Sequence, residues 1–373
     1  MVRNKELEKA KSDIPSRIKE LEDELSRTRY NKKTQGHIGL LKAKIAQLKE
    51  KQQQRKKGKG KTAGYTVKKT GDATVIMVGF PSVGKSTLLN RLTNAKSQTA
   101  AYSFTTLTCI PGMLEHKGAK IQVLDVPGVV KGASSGRGRG KEVLSVAVNS
   151  DLVLFLIDVF HPEHYGILLH ELRDSYLRIN EEKPDIRIKK KAKGGLDIGS
   201  TVKLTKIDRE TIKKILNQFK IINADVLVRS NIDADQLIDA IEDNKKYLPG
   251  IIALNKIDLA SEKQIEEVKR INPDILISAE KGTAVEGLKE LIFEKLGFIR
   301  IYCKEQGKKA DTKEPMILKK GATLQTMCEK LHRDFIMRFR FARIWGSSKF
   351  PGQAIRKLSY PLKDKDIVEL VLD

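Results

Sequence analysis

Near the start of the chain, apolar residues recur three and four apart: Ile14, Ile18, Leu21 and Leu25, then Ile38, Leu41, Ile45 and Leu48. Each set lines one side of a helix. The polar, basic stretch 28–36 between them predicts a turn, so residues 1–70 read as a helical hairpin. The pattern then changes to short apolar runs at 74–78, 121–124, 152–157, 250–254 and 275–277. Short apolar runs that end at Gly, Asp, Asn or Ser predict strands, and the fully apolar 152–157 reads as a central strand of a parallel sheet. About ninety positions separate Asp158 from Gly250, too many for a loop in a compact domain. Within them, strands at 185–189, 194–198 and 224–228 and helices at 208–219 and 233–242 predict a small α/β insertion, residues 166–247. Strands at 299–303, 342–346 and 366–372, with a Thr323-capped helix, predict a β-grasp-like domain over 299–373.

The first strand runs into Gly79-Phe80-Pro81-Ser82-Val83-Gly84-Lys85-Ser86-Thr87, which fits G-x-x-x-x-G-K-[ST], and Leu88, Leu89 and Leu92 open a helix after it. Strand, glycine loop and helix are the context a phosphate-binding loop requires; an ordinary glycine turn with a solvent-facing lysine is the bland alternative. Gly79 and Gly84 let successive N–H groups point at phosphate oxygens, and the helix adds its positive end. Lys85 would reach the β- and γ-phosphates and Ser86 would be a Mg²⁺ ligand.

Later segments narrow the nucleotide. Phe104, Thr105, Thr106, Leu107 and Thr108 lie in a loop where a threonine hydroxyl can meet Mg²⁺ when a γ-phosphate is present. In Asp125-Val126-Pro127-Gly128, the aspartate can hold Mg²⁺ through water and the Gly128 N–H can reach the γ-phosphate. That contact vanishes on hydrolysis, which makes the loop a switch. Asn255-Lys256-Ile257-Asp258 is the guanine-reading signature: the carboxylate accepts from both N1–H and N2–H, a donor pair adenine lacks. Ser278-Ala279 then offers the Ala279 N–H to the base O6. An ATP-binding reading fails on Asp258.

Charge adds a partner. The chain has 373 residues, with 71 Lys+Arg against 47 Asp+Glu, a formal net charge of +24. Such a balance favours nucleic acid over an anionic membrane, with a lysine-rich, thermally adapted surface as the alternative. Residues 1–70 alone hold 21 Lys+Arg against 8 Asp+Glu. The run Arg55 to Lys61 and the cluster Lys189-Lys190-Lys191-Ala192-Lys193 either contact RNA or are simply solvated. Phe335, Arg338, Phe339 and Arg340 serve RNA or the core equally well. Three scattered cysteines, a charged N-terminal region and the shortness of every apolar run point to a cytoplasmic protein with no membrane role.

Taken together, the chain resembles the developmentally regulated GTP-binding (DRG) proteins of the Obg-like GTPase group over essentially its whole length. Phe104-Thr105-Thr106-Leu107 and Asp125-Val126-Pro127-Gly128 carry the Obg-like pattern. The basic helices with Gly39-Leu40-Leu41-Lys42-Ala43-Lys44, the insertion and the C-terminal segment carry the DRG pattern. The resemblance implies a P-loop GTPase domain, mostly parallel, over 71–298 and a TGS domain over 299–373. It also implies a helix-turn-helix N-terminal region and an insertion similar to the second domain of a ribosomal small-subunit protein. Ribosome-linked hydrolysis of GTP to GDP, a DRG-family regulatory protein, help from K⁺, and Thr106 rather than Thr105 as Mg²⁺ ligand follow from the same likeness. On that basis Lys85, Thr106 and Gly128 are the expected catalytic groups. Val129 stands where Ras-like proteins carry a water-orienting glutamine, so slow intrinsic turnover is expected. Ser82 stands where potassium-activated GTPases typically carry asparagine. The competing class is an RNA- or ribosome-binding factor for which GTP is a structural ligand.

Overall fold

The structure, a computed structural model, describes residues 2–56, 71–93, 110–125 and 149–372. The sequence expectations for Phe104, Thr105, Thr106, Leu107, Thr108, Val126, Pro127, Gly128 and Val129, and for the basic run beyond Lys56, lie outside the described residues. The chain forms two compact units, residues 1–63 with 182–247, and residues 64–181 with 248–373.

In the larger unit the apolar runs become a six-stranded sheet. Its strands are β1 (Ala73–Val78), β2 (Ile110–His116), β3 (Ala119–Asp125), β4 (Leu152–Asp158), β8 (Gly250–Asn255) and β9 (Ile275–Leu276), numbered along the chain. The order is β9-β8-β4-β1-β3-β2, parallel throughout except for the antiparallel β2–β3 pair. Alternation explains why the runs are apolar at every position. Val75 and Met77 of β1, Leu152 and Leu154 of β4, and Ile251 of β8 enter the core on one face. Ile76, Val153, Phe155 and Ile252 enter the core on the other. Helices α3 (Lys85–Thr93) and α8 (Val285–Lys295) cover the first face through Leu88, Leu89, Leu92, Leu288 and Ile292. Helices α4 (His164–Asp174) and α7 (Glu262–Val268) contribute Leu168, Leu172 and Val268 to the second.

This corrects one boundary. The insertion was expected from residue 166, yet Leu168, Leu172, Leu177 and Ile179 are buried in the core beneath the sheet, and the smaller unit begins at 182. The run is amphipathic because it covers β4.

The C-terminal domain belongs to the same unit. Strands β10 (Phe298–Cys303), β11 (Met316–Lys319), β12 (Phe339–Trp345), β13 (Gln353–Ile355) and β14 (Asp366–Leu372) form a sheet in the order β11-β10-β14-β12-β13. Only β10 and β14 run parallel. Helix α9 (Leu324–Leu331) packs Leu324 and Met327 into this core behind a Thr323 cap. Phe339 packs on the same core while Arg338 and Arg340 are exposed, so packing accounts for at least that aromatic. Lys330 Nζ donates to Asp72 Oδ1 at 2.9 Å and Lys319 Nζ to Asp151 Oδ1 at 3.2 Å, just before β1 and β4. The domain therefore meets the sheet at the amino ends of its strands, away from the glycine loop.

The smaller unit joins what the sequence reading kept apart. Helices α1 (Val2–Arg27) and α2 (Gln35–Lys56) form the expected hairpin, with Ile18, Ile38, Leu41 and Ile45 buried. The insertion contributes β5 (Ile186–Lys190), β6 (Leu196–Ser200) and β7 (Ala224–Val228) in the order β5-β7-β6. It adds α5 (Arg209–Gln218), capped by Asp208, and α6 (Ala234–Glu242), with a capping box from Asp233 and Gln236. Ala43 of α2 lies in the insertion's core, and Lys42 Nζ donates to Asp235 Oδ2 at 2.6 Å. Gln47 Nε2 donates to the Gln218 carbonyl at 2.8 Å. Hairpin and insertion thus share one core.

Gly39 sets how closely α2 approaches α5. A Cβ there would sit 2.8 Å from Thr211 Cγ2 and 3.2 Å from Ile215 Cδ1. At Gly36 the first atom met is Lys214 Nζ, the mobile end of a long side chain, at 3.2 Å. Gly39→Leu should therefore destabilise this unit by about 1–3 kcal/mol through overpacking, even after the helix-propensity gain. Gly36→Ala should be neutral or stabilising by up to about 1 kcal/mol. Urea unfolding of the two variants checks the pair; equal effects would contradict the packing.

Candidate nucleotide-binding site

The carboxyl ends of the parallel strands gather the sequence motifs. The loop 79–84 follows β1, Asp125 ends β3, Asp158 ends β4, Asn255 ends β8, and Ser278 and Ala279 follow β9. β3 and β4 flank β1 on opposite sides, so the strand order reverses beside β1, and the carboxyl edge at such a point is where open α/β sheets hold ligands.

Ser82 at φ +62° and Gly84 at φ +97° are both left-handed, which turns successive loop N–H groups to one side as an anion nest. Two glycines are also required by neighbours. A Cβ on Gly79 would lie 2.5 Å from the Leu156 carbonyl oxygen, and one on Gly84 would lie 2.6 Å from Asn255 Nδ2. Phe80, Pro81 and Val83 complete the loop, and Ser86 and Thr87 lie in the first turn of α3. Lys85 Nζ folds back to donate to the Gly79 carbonyl at 3.0 Å and the Phe80 carbonyl at 2.9 Å. Burial pushes its ammonium below the usual lysine range, and the Asp125 carboxylate partly opposes this.

Ser86 Oγ donates to Asp125 Oδ2 at 3.0 Å. Asp125 is buried, and its Oδ1 has no hydrogen-bond partner among the described residues. A buried, orphaned carboxylate oxygen beside a hydroxyl is the donor set a hard, oxygen-seeking cation satisfies, so these residues fit Mg²⁺.

The residues expected to read guanine follow β8 and β9 at the same edge of the sheet. Asp258 is held below the usual carboxylate range by a hydrogen bond from the Ser278 hydroxyl, with help from the Lys281 ammonium 3.9 Å away. It therefore presents an ionised acceptor. Lys256, at φ +69°, pairs its Nζ with Asp158 Oδ2 at 2.7 Å. Asn255 is anchored by protein at both ends of its amide: Nδ2 donates one bond to the Val83 carbonyl at 2.8 Å, and Oδ1 accepts one from the Ala279 N–H at 2.9 Å. The Ala279 N–H expected for the base O6 is thus engaged within the protein. Asn255 ties the phosphate loop to the base-side loop. Sequence reading missed this tie, although Gly84, whose missing Cβ admits the amide, was its one visible trace.

Comparison with known proteins agrees with this geometry. Residues 74–191 match a family described as 50S ribosome-binding GTPase, 193–298 match the C-terminal region of that family's domain, and 299–372 match the TGS domain. An uncharacterized GTP-binding protein of Methanocaldococcus jannaschii is 51% identical over 96% of this chain and 93% of its own. The developmentally-regulated GTP-binding protein 2 homolog of Dictyostelium discoideum is 41% identical over 96% of this chain and 99% of its own. Among solved structures, the YchF GTPase of Schizosaccharomyces pombe is 15% identical with a TM-score of 0.42, covering 82% of this chain and 99% of that one. No helix among the described residues is long and apolar enough to cross a membrane. With a phosphate loop between strand and helix and full-length relatives of that name, the chain belongs to the developmentally regulated GTP-binding proteins, P-loop GTP-binding proteins with a C-terminal TGS domain.

Proposed function

We propose that this protein hydrolyses GTP to GDP and phosphate and uses the two nucleotide states as a switch in its contact with the ribosome or its RNA. The observation that carries the reading is the convergence of Lys85, Ser86, Asp125 and Asp258 on one edge of the sheet. Asp258 selects guanine, and the loop N–H groups with Lys85 neutralise and align the phosphates. Ser86, Thr106 and Asp125 would hold Mg²⁺, which supplies charge neutralisation of the β- and γ-phosphates when bound. Gly128 would sense the γ-phosphate. Val129 offers no group to orient water, so intrinsic turnover is slow and a partner, a backbone group or K⁺ completes the site.

The ribosome is the favoured partner on three grounds. The matched GTPase family is described as 50S ribosome-binding. The net charge is +24. Lys189 and Lys190 are exposed on β5, whereas Lys191 is engaged by Asp225 at 2.5 Å. Cosedimentation with ribosomes tests the switch. Binding should differ by about tenfold between a non-hydrolysable GTP analogue and GDP, a coupling of typical size. Equal binding in both states would favour the factor that holds GTP as a structural ligand.

A further inference from the structure

Beyond the carboxyl end of β4, the turn His161-Pro162-Glu163-His164 leads into α4. His161 Nδ1 lies 3.2 Å from Glu163 Oε1, and His164 Nε2 lies 4.0 Å from the same oxygen. All three ligand atoms fall within 4.8 Å of one another. The two imidazoles are stacked, with centroids 5.0 Å apart. None of the three has a part in the nucleotide chemistry above.

The chemistry of this set is specific. Glu163 Oε1 is the oxygen nearest both imidazole nitrogens and supplies the carboxylate of the set. Two imidazoles and a carboxylate are ligands for a borderline cation, whereas Mg²⁺ prefers an all-oxygen set. Tetrahedral bonds of about 2.0–2.1 Å place ligand atoms roughly 3.3 Å from one another, close to the 3.2 Å between His161 Nδ1 and Glu163 Oε1 and shorter than the 4.0 Å from His164 Nε2. The exposure of His161 and Glu163 leaves room for water in the remaining position.

The site adjoins the phosphate loop. The His164 ring stacks on Phe80 with centroids 3.8 Å apart and an interplanar angle of 14°. The Phe80 carbonyl is one of the two that accept from Lys85 Nζ. Fixing His164 therefore fixes a ring that packs on the loop.

We propose that His161, Glu163 and His164 form a site for a transition-metal ion of the zinc class, and that its occupancy slows nucleotide release through the His164–Phe80 stack. The coupling rests on the guanine-nucleotide reading; the metal binding does not.

The test titrates Zn²⁺ calorimetrically, and Co²⁺ by visible absorption, into the full chain loaded with Mg²⁺ and GDP. One ion per chain should bind, and His161→Ala and Glu163→Gln should each weaken it about tenfold or more. Melting curves in chelator should not move. Zn²⁺ should also slow release of a fluorescent GDP analogue at least about twofold from the wild type and not from His161→Ala. No binding, or equal binding by wild type and both variants, overturns the site. Binding with unchanged release overturns the coupling, and failure of the analogue to bind at all would instead count against the nucleotide reading.

Discussion

Replacing Lys85 by alanine should lower GTP affinity and single-turnover hydrolysis by at least about a hundredfold while leaving the fold intact. The ammonium now rests on the Gly79 and Phe80 carbonyls, the position from which it would swing to the β- and γ-phosphates. Each charge-assisted contact contributes about 1.5–3 kcal/mol, so losing both removes a factor of roughly 10² to 10⁴. Helix α3 is anchored by Leu88, Leu89 and Leu92, none of which the substitution touches. Titration with a fluorescent GTP analogue, with a thermal melt alongside, measures both halves. Unchanged affinity would mean that triphosphate is not held by this loop.

Asp258→Asn should lose guanine nucleotides by about a hundredfold or more and gain xanthine nucleotides in exchange. The carboxylate would accept from guanine N1–H and N2–H, and the Ser278 hydroxyl lowers its pKa further below the usual carboxylate range. An asparagine can accept only one of those bonds and turns its NH₂ toward the other donor, leaving a clash of like groups. Xanthine carries a carbonyl in place of the 2-amino group, so the same NH₂ finds an acceptor. Competition between GTP and XTP decides the matter. Weakened binding of both would show that Asp258 holds the loop's shape, and XTP preference shows that it reads the base. Ser278→Ala should produce a smaller loss, about tenfold, because one charge-assisted bond to Asp258 disappears.

Much of this site was legible because its signals are local. A phosphate loop needs glycines, lysine and serine at fixed offsets between a strand and a helix, and residues 74–92 supply all of them. Asp125, Asn255 and Asp258 each follow an apolar run short enough to be a strand, which places them at one edge of a parallel sheet. The insertion's elements were equally readable, since Asp208 and Asp233 announce their helices as caps. What local pattern does not carry is pairing across long separations. Gln47 meets Gln218 and Lys42 meets Asp235, and nothing in the period of either segment specifies its partner. The hairpin therefore read as a domain of its own. Leu168 and Leu172 were assigned to the insertion because an amphipathic helix shows that it covers something without showing what. The bonds by which Asn255 joins Val83 to Ala279 are likewise pairings across long separations, which the local motif does not show.

The most direct test of the central claim is steady-state GTP hydrolysis in K⁺ buffer, with and without ribosomes from the same organism. Val129 has no polar group where Ras-like proteins carry a water-orienting glutamine, so the free protein should turn over slowly. The account predicts stimulation of about tenfold or more by ribosomes, abolished by Lys85→Ala. Equally slow turnover in both conditions would contradict it.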